Sequence, residues 1–242
     1  MKQRVLVIGN IYGRKDWKQI IEKETGRGNT LCLFLGNYLA SVDISSGEML
    51  RNLREIIEFA YADPFSCKLL LGRHDMQYFP SRHGNAYYAT TMHRRLLDKE
   101  AKELFRKWEG FFEPCFQLDS TLFTNGPITN SWMRTFKTSR KYKKYERDYA
   151  GKPLGFILQD QFEKQNIAFV YNDRQNSSPL LSCANDCRTR DDCFRMYSIE
   201  QIYSSSDDKS YNHISFSGSD LKKVPIVVSD VEENTPYIIL EV

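Results

Sequence analysis

The chain has 242 residues, enough for one large domain with a sizeable core. With 41% apolar and 27% charged residues and a formal net charge of +3, it reads as an ordinary globular protein. Bulk electrostatics therefore imply neither a nucleic-acid nor a membrane partner, and no apolar run is long enough to be a membrane span.

Three strand–turn–helix units open the sequence. "RVLVIG" is a strand, followed by a helix in "RKDWKQIIEKE" with Trp17, Ile20, Ile21 and Glu24 at helical spacing. The apolar run at the N-terminus is too short for a signal-peptide core, so a cytoplasmic protein is expected. "TLCLFLG" is the second strand. Its helix, "SSGEMLRNLREIIEFAYA", starts with a serine cap at Ser45 and a glutamate three residues on. "CKLLLG" is the third strand. The βαβαβ order predicts a mostly parallel sheet, whose ligands bind at the carboxyl ends of strands. Each strand ends at a glycine, Gly9, Gly36 or Gly72, so the segments just beyond them should converge.

A loop rich in Arg, His, Gly and Tyr follows. "HRRLLDKEAKELFRKWEGFF" then reads as an amphipathic helix, and "CFQLDSTLFTNG" as a hairpin turning at Asp119-Ser120. Near 134–150 lies a basic insertion, with seven basic residues among the fourteen of 134–147. Its interleaved Phe136, Tyr142, Tyr145 and Tyr149 offer stacking to nucleic acid. A solvated basic face is the preferred reading, and nucleic acid is not expected as a partner. An irregular segment spans about 171–195. Its Cys183, Cys187 and Cys193 lack a CxxC pair; zinc or a disulfide is an alternative to incidental thiols. Cys32 and Cys67 sit in apolar runs and read as core thiols. "VPIVVSD" and "TPYIILEV" close the chain as an antiparallel-looking pair, suggesting two packed sheets in a single domain over 1–242.

The strand ends read "GNIYGR", "GNYLASVD" and "GRHDMQYF", and the hairpin ends "FTNGPIT". In order and spacing these resemble the calcineurin-like metallophosphoesterases, whose pattern runs GD-x-HG, GD-x-x-D, GN-H-D/E, then two later histidine segments. The resemblance implies an α/β fold, a four-layer α/β/β/α sandwich. It also implies two divalent ions that clamp a phosphate and activate a water, held by carboxylates and imidazoles.

Most ligand positions are changed. Asn10 and Tyr12 stand where the first motif has aspartate and histidine. Asn37 stands for the bridging aspartate, Ala40 for the other aspartate, Arg73 for the asparagine ligand and Asn125 for a histidine. Ser204 and Ser205 of "QIYSSSDD" take the last motif's glycine and histidine. "SPLLSC" carries Leu181 and Cys183 where some relatives have tryptophan and arginine. A guanidinium has no lone pair to give a metal, so Arg73 exchanges metal cations for one fixed cation.

His74 and Asp75 survive. The resemblance makes His74 a general acid oriented by Asp75; the plainer reading is a hydrogen-bonded pair fixing the loop. Arg14, Arg73, His74 and Arg82 form a candidate anion pocket, unless Arg73 pairs with Asp75 or Asp43 and the cleft is filled.

The expected function is a catalytically inactive pseudophosphatase that binds a protein partner or phosphate-containing ligand within a larger assembly, without a cofactor. One alternative is a phosphoesterase with a rearranged site using His74, Asp75, Asp43 and Asp230 and one divalent metal such as manganese or magnesium. Another is a protein that sequesters a nucleotide. A rapidly diverging genome, such as a virus's, would suit the losses; the protein would then act in the host cytoplasm or virion.

Overall fold

In the computed structural model of the chain, the described residues are 3–26, 29–41, 43–72, 74–78, 95–126, 128, 130–164, 201–205, 226–228 and 237–242. Two compact units emerge. One comprises Met1–Ser81, Asn85–Glu113 and Val228–Val242; the other comprises Arg82–Gly84 and Pro114–Val227.

The first unit is built on β1 (Arg4–Ile8), β2 (Thr30–Phe34), β3 (Cys67–Leu70), β4 (Phe112–Glu113) and β9 (Tyr237–Glu241), in the order β4-β3-β2-β1-β9. β1 to β4 are mutually parallel, and β9 runs antiparallel to β1. All five residues of β2 are buried, as a parallel strand covered on both faces requires. The mixed α/β class, with a mostly parallel sheet flanked by helices, is as the sequence predicts.

The helices follow from their patterns. α1 (Trp17–Thr25) buries Trp17, Ile20, Ile21 and Glu24, the stripe seen in the sequence. Glu24 is tolerated inside because Arg4 lies 2.8 Å away and Tyr237 donates to it at 3.0 Å, tying α1 to β1 and β9. α2 (Ser46–Ala62) starts with the expected capping box: Ser45 Oγ accepts from the Glu48 N–H, and Glu48 reaches back to the Ser45 N–H. Trp17 joins α1 to α2, its indole N–H donating to buried Asn52 at 2.9 Å. α3 (Arg95–Lys107) is shorter than predicted. Trp108 leaves helical geometry, a 3₁₀ turn at Glu109–Phe111 follows, and Phe112 enters β4.

The second unit holds β5 (Cys115–Leu118), β6 (Thr121–Thr124), β7 (Gln201–Ser205) and β8 (Ile226–Val228), in the order β5-β6-β7-β8. β5 and β6 form the predicted hairpin, with Asp119 at the turn in the left-handed region (φ 48°). β7 lies parallel to β6. β8 and β9 do not pair with each other as expected. They belong to different sheets, because β9 takes the free edge of β1.

The basic insertion folds as α4 (Asn130–Thr138) and α5 (Arg140–Tyr145). α6 (Leu154–Glu163), absent from the sequence reading, buries Leu154, Ile157, Leu158 and Phe162 behind Pro153. Among the described residues, no helix is long and apolar enough to cross a membrane. The segment 171–195 and Cys183, Cys187 and Cys193 lie outside the described residues. Cys32 and Cys67 are buried free thiols, register partners on β2 and β3.

Candidate functional site

The ends of β1, β2 and β3 converge. After β1, the turn carries Tyr12 (φ 48°) and Gly13 (φ 76°) in the left-handed region. Glycine is required at 13: a Cβ there would sit 2.4 Å from Met49 Cγ. The turn is tied to the next strand end by Ile11 N–H donating to the Gly36 carbonyl (3.2 Å) and Tyr12 N–H to that of Asn37 (2.8 Å). After β2, Gly36 (φ 106°) and Asn37 (φ 56°) both take positive φ. That turns the consecutive N–H groups of Asn37 and Tyr38 the same way, a backbone arrangement that holds anions.

The anion held is the protein's own. Asp75 Oδ2 accepts from the N–H of Asn37 (2.7 Å) and of Gly72 (2.8 Å), and Oδ1 accepts from that of Tyr38 (2.8 Å). Asp75 is fully buried. Burial pushes its carboxyl up to about 7, against the pull of the three N–H donors. The same burial, with the Asp75 charge second, raises the Tyr38 phenol, which donates to the Leu70 carbonyl at 3.0 Å.

Above this staple lies a run of amides. Asn37 Nδ2 donates to Asn10 Oδ1 at 2.8 Å, and Asn10 Nδ2 donates to the Tyr12 hydroxyl at 3.2 Å. Asn37 Oδ1 accepts from the His74 backbone N–H at 2.9 Å. Asn10 and Asn37 are both fully buried. The Tyr12 and His74 rings meet edge to face, centroids 6.2 Å apart. One strand-end cluster thus contains Asn10, Tyr12, Asn37, His74 and Asp75.

The proposed His74–Asp75 loop pair takes a different form. The loop is fixed, but by Asp75 accepting from backbone N–H groups of three segments. A carboxylate three residues after Gly72 was the available sequence signal, since short polar side chains cap nearby backbone at such spacing.

Arg14 lies two residues before Asp16, the N-cap of α1, and its carbonyl accepts from Asn52 Nδ2 at 2.8 Å. Asp43 is exposed, its N–H donating to Ser41 Oγ at 3.2 Å. Arg73, Arg82 and Asp230 lie outside the described residues. In the second unit, Asn125 is fully buried just beyond β6. Ser205 ends β7, and the pairing of Thr124 with Ser204 places Asn125 and Ser205 at the same end of neighbouring strands.

Among the described residues, the donors present do not fit the two-ion cluster that the sequence resemblance implies. The amide oxygens of Asn10 and Asn37 already accept hydrogen bonds, and the Asp75 carboxylate accepts from three backbone donors. Among the described residues, no group of three or more His, Cys, Asp or Glu is placed to hold a metal ion.

No protein-family model matches the sequence, and no curated protein matches it. Solved structures do. A cold-active protein tyrosine phosphatase aligns with TM-score 0.59 at 14% identity, covering 99% of this chain and 74% of its own. The chain has the fold of that phosphatase. A point mutant of a cold-active protein tyrosine phosphatase aligns at 0.51 and 12% identity, over 93% of this chain and 70% of that one. A metallophosphoesterase from Sphaerobacter thermophilus aligns at 0.46 and 12% identity, over 99% and 84% of the two chains. In this fold, the amide cluster lies at the carboxyl edge of the parallel sheet, where such sheets place their ligands.

Proposed function

We propose that the chain is a catalytically inactive, phosphoesterase-like protein that serves as a partner- or ligand-binding subunit rather than as a hydrolase. The observation that supports this is the hydrogen bond from Asn37 to Asn10, 2.8 Å long and fully buried. Two neutral amides that satisfy each other need no cation, whereas two facing carboxylates would demand one. Without a metal to activate water and hold phosphate, His74 alone supplies only a modest general-acid effect.

The test is hydrolysis of a generic phosphomonoester and phosphodiester with manganese present, using protein purified without chelator. The expected rate is that of buffer, unchanged in His74→Ala. Turnover that His74→Ala abolishes would overturn the proposal in favour of a rearranged single-metal phosphoesterase.

A further inference from the structure

The charge of this chain is unevenly placed. Residues 134–147 hold seven basic residues and one acidic residue. The rest of the chain, with 27 basic against 30 acidic residues, is net negative. The structure sorts this segment into two faces. Arg140, Lys143, Lys144 and Arg147 recur at i, i+3, i+4 and i+7, and all four are exposed. Helical bonding continues past α5, where the Tyr149 N–H donates to the Tyr145 carbonyl at 3.1 Å, so Arg147 keeps the phase. Tyr142, Tyr145 and Tyr149 take the opposite face. Tyr142 and Tyr149 are 4% exposed, and Tyr142 packs on Phe136 of α4 with ring centroids 5.0 Å apart.

Of the interleaved aromatics, Phe136, Tyr142 and Tyr149 are buried and anchor the segment, and Tyr145 is half-buried. What faces solvent is cationic. Arg134 on α4 is exposed as well, and the exposed acids Glu146 and Asp148 flank the stripe, three residues after Lys143 and four after Lys144. The ion pairs found among the described residues use other cations: Arg4, Lys18, Lys23, Arg54, Lys68 and Lys164.

We propose that the Arg140–Lys143–Lys144–Arg147 face binds the phosphate backbone of duplex nucleic acid without reading its sequence. Three features favour this partner over others. The face lacks the buried aromatic anchor that dominates protein–protein interfaces. It lacks the exposed apolar groups that insert into a bilayer: the large exposed hydrophobics among the described residues, Tyr61, Phe65, Phe156 and Ile239, lie in other elements. With Tyr142 and Tyr149 buried and half-buried Tyr145 on the opposite face against Lys164, the stripe has among the described residues no stacking platform for single strands. A row of fixed cations matches a polymer of regularly spaced phosphates, whose binding is driven by counterion release.

The test is fluorescence anisotropy with the full chain and short labelled duplexes of two unrelated sequences, with a single strand of equal length as comparison. Both duplexes should bind equally, and no more weakly than the single strand. With about four phosphates engaged, affinity should fall roughly a hundred-fold between about 50 and 200 mM salt. Each neutralisation, such as Arg140→Gln, should reduce the salt slope by about one. The triple change Arg140→Glu, Lys143→Glu and Arg147→Glu should abolish binding; the corresponding triple Gln variant keeps the test meaningful if the Glu variant does not fold. No binding at low salt, a slope unchanged in the Gln variants, or preference for the single strand would overturn the proposal. So would tighter binding to anionic phospholipid vesicles or to polyglutamate than to duplex.

Discussion

Asn37 donates its side-chain amide to Asn10 across two parallel strand ends, and its own oxygen accepts from the His74 backbone. One asparagine thus joins the three turns that follow β1, β2 and β3. It does so from a left-handed backbone (φ 56°), a conformation asparagine tolerates better than most residues.

Replacing that residue should therefore cost on two accounts. Asn37→Ala removes two hydrogen bonds and leaves a less tolerant residue at positive φ, a loss of about 2–4 kcal/mol. Asn37→Gly should recover about 1 kcal/mol of it by relieving the backbone alone. Urea denaturation of the three proteins measures both differences.

Gly72 cannot accept a side chain. A Cβ there would lie 2.2 Å from Asn37 Oδ1 and 2.3 Å from the Asn37 backbone nitrogen. Neither atom can move without breaking the amide run. Gly72→Ala should lower stability by about 3 kcal/mol, read as a fall in thermal midpoint.

Asp75 predicts a pH dependence with a definite sign. Its folded carboxyl is raised from 3.8 to about 7, so between those values the native state holds more protons than the unfolded chain. The group's contribution to stability is full below about pH 4, declines as pH rises to 7, and is flat above it. Asp75→Asn should remove this slope, seen as a difference between the wild-type and variant stability–pH curves. The variant should also be less stable at pH 4, because an amide nitrogen, unlike either oxygen of the protonated carboxyl, cannot accept from a backbone N–H.

Asn52 should matter as much as an apolar core residue. It accepts from the Trp17 indole and donates to the Arg14 carbonyl, fixing the start of α1 against α2. Asn52→Leu keeps the branched shape but strands both partners, costing about 2 kcal/mol in chemical denaturation.

Local patterns carried the first half of the fold. The glycine-terminated strands, the α1 stripe and the Ser45–Glu48 capping box depend on residues near one another in sequence, and each formed where the pattern places it. The pairing of β9 with β1 is a choice between distant edges that no local pattern encodes. α6 was legible in principle: Leu154, Ile157, Leu158 and Phe162 behind Pro153 have helical spacing. Of the site, the convergence of the three turns followed from the parallel order. That Asp75 would spend both oxygens on backbone N–H groups did not, because that depends on the left-handed geometry at Gly36 and Asn37.

The central claim is that buried amides occupy the place where the sequence resemblance implies metal ligands. Calorimetric titration of manganese into protein purified without chelator tests it most directly, since manganese prefers oxygen ligands and the chain's thiols will not compete. The account predicts no saturable binding, and no difference between wild type and His74→Ala. Saturable uptake approaching one ion or more per chain, lost in His74→Ala, would contradict it.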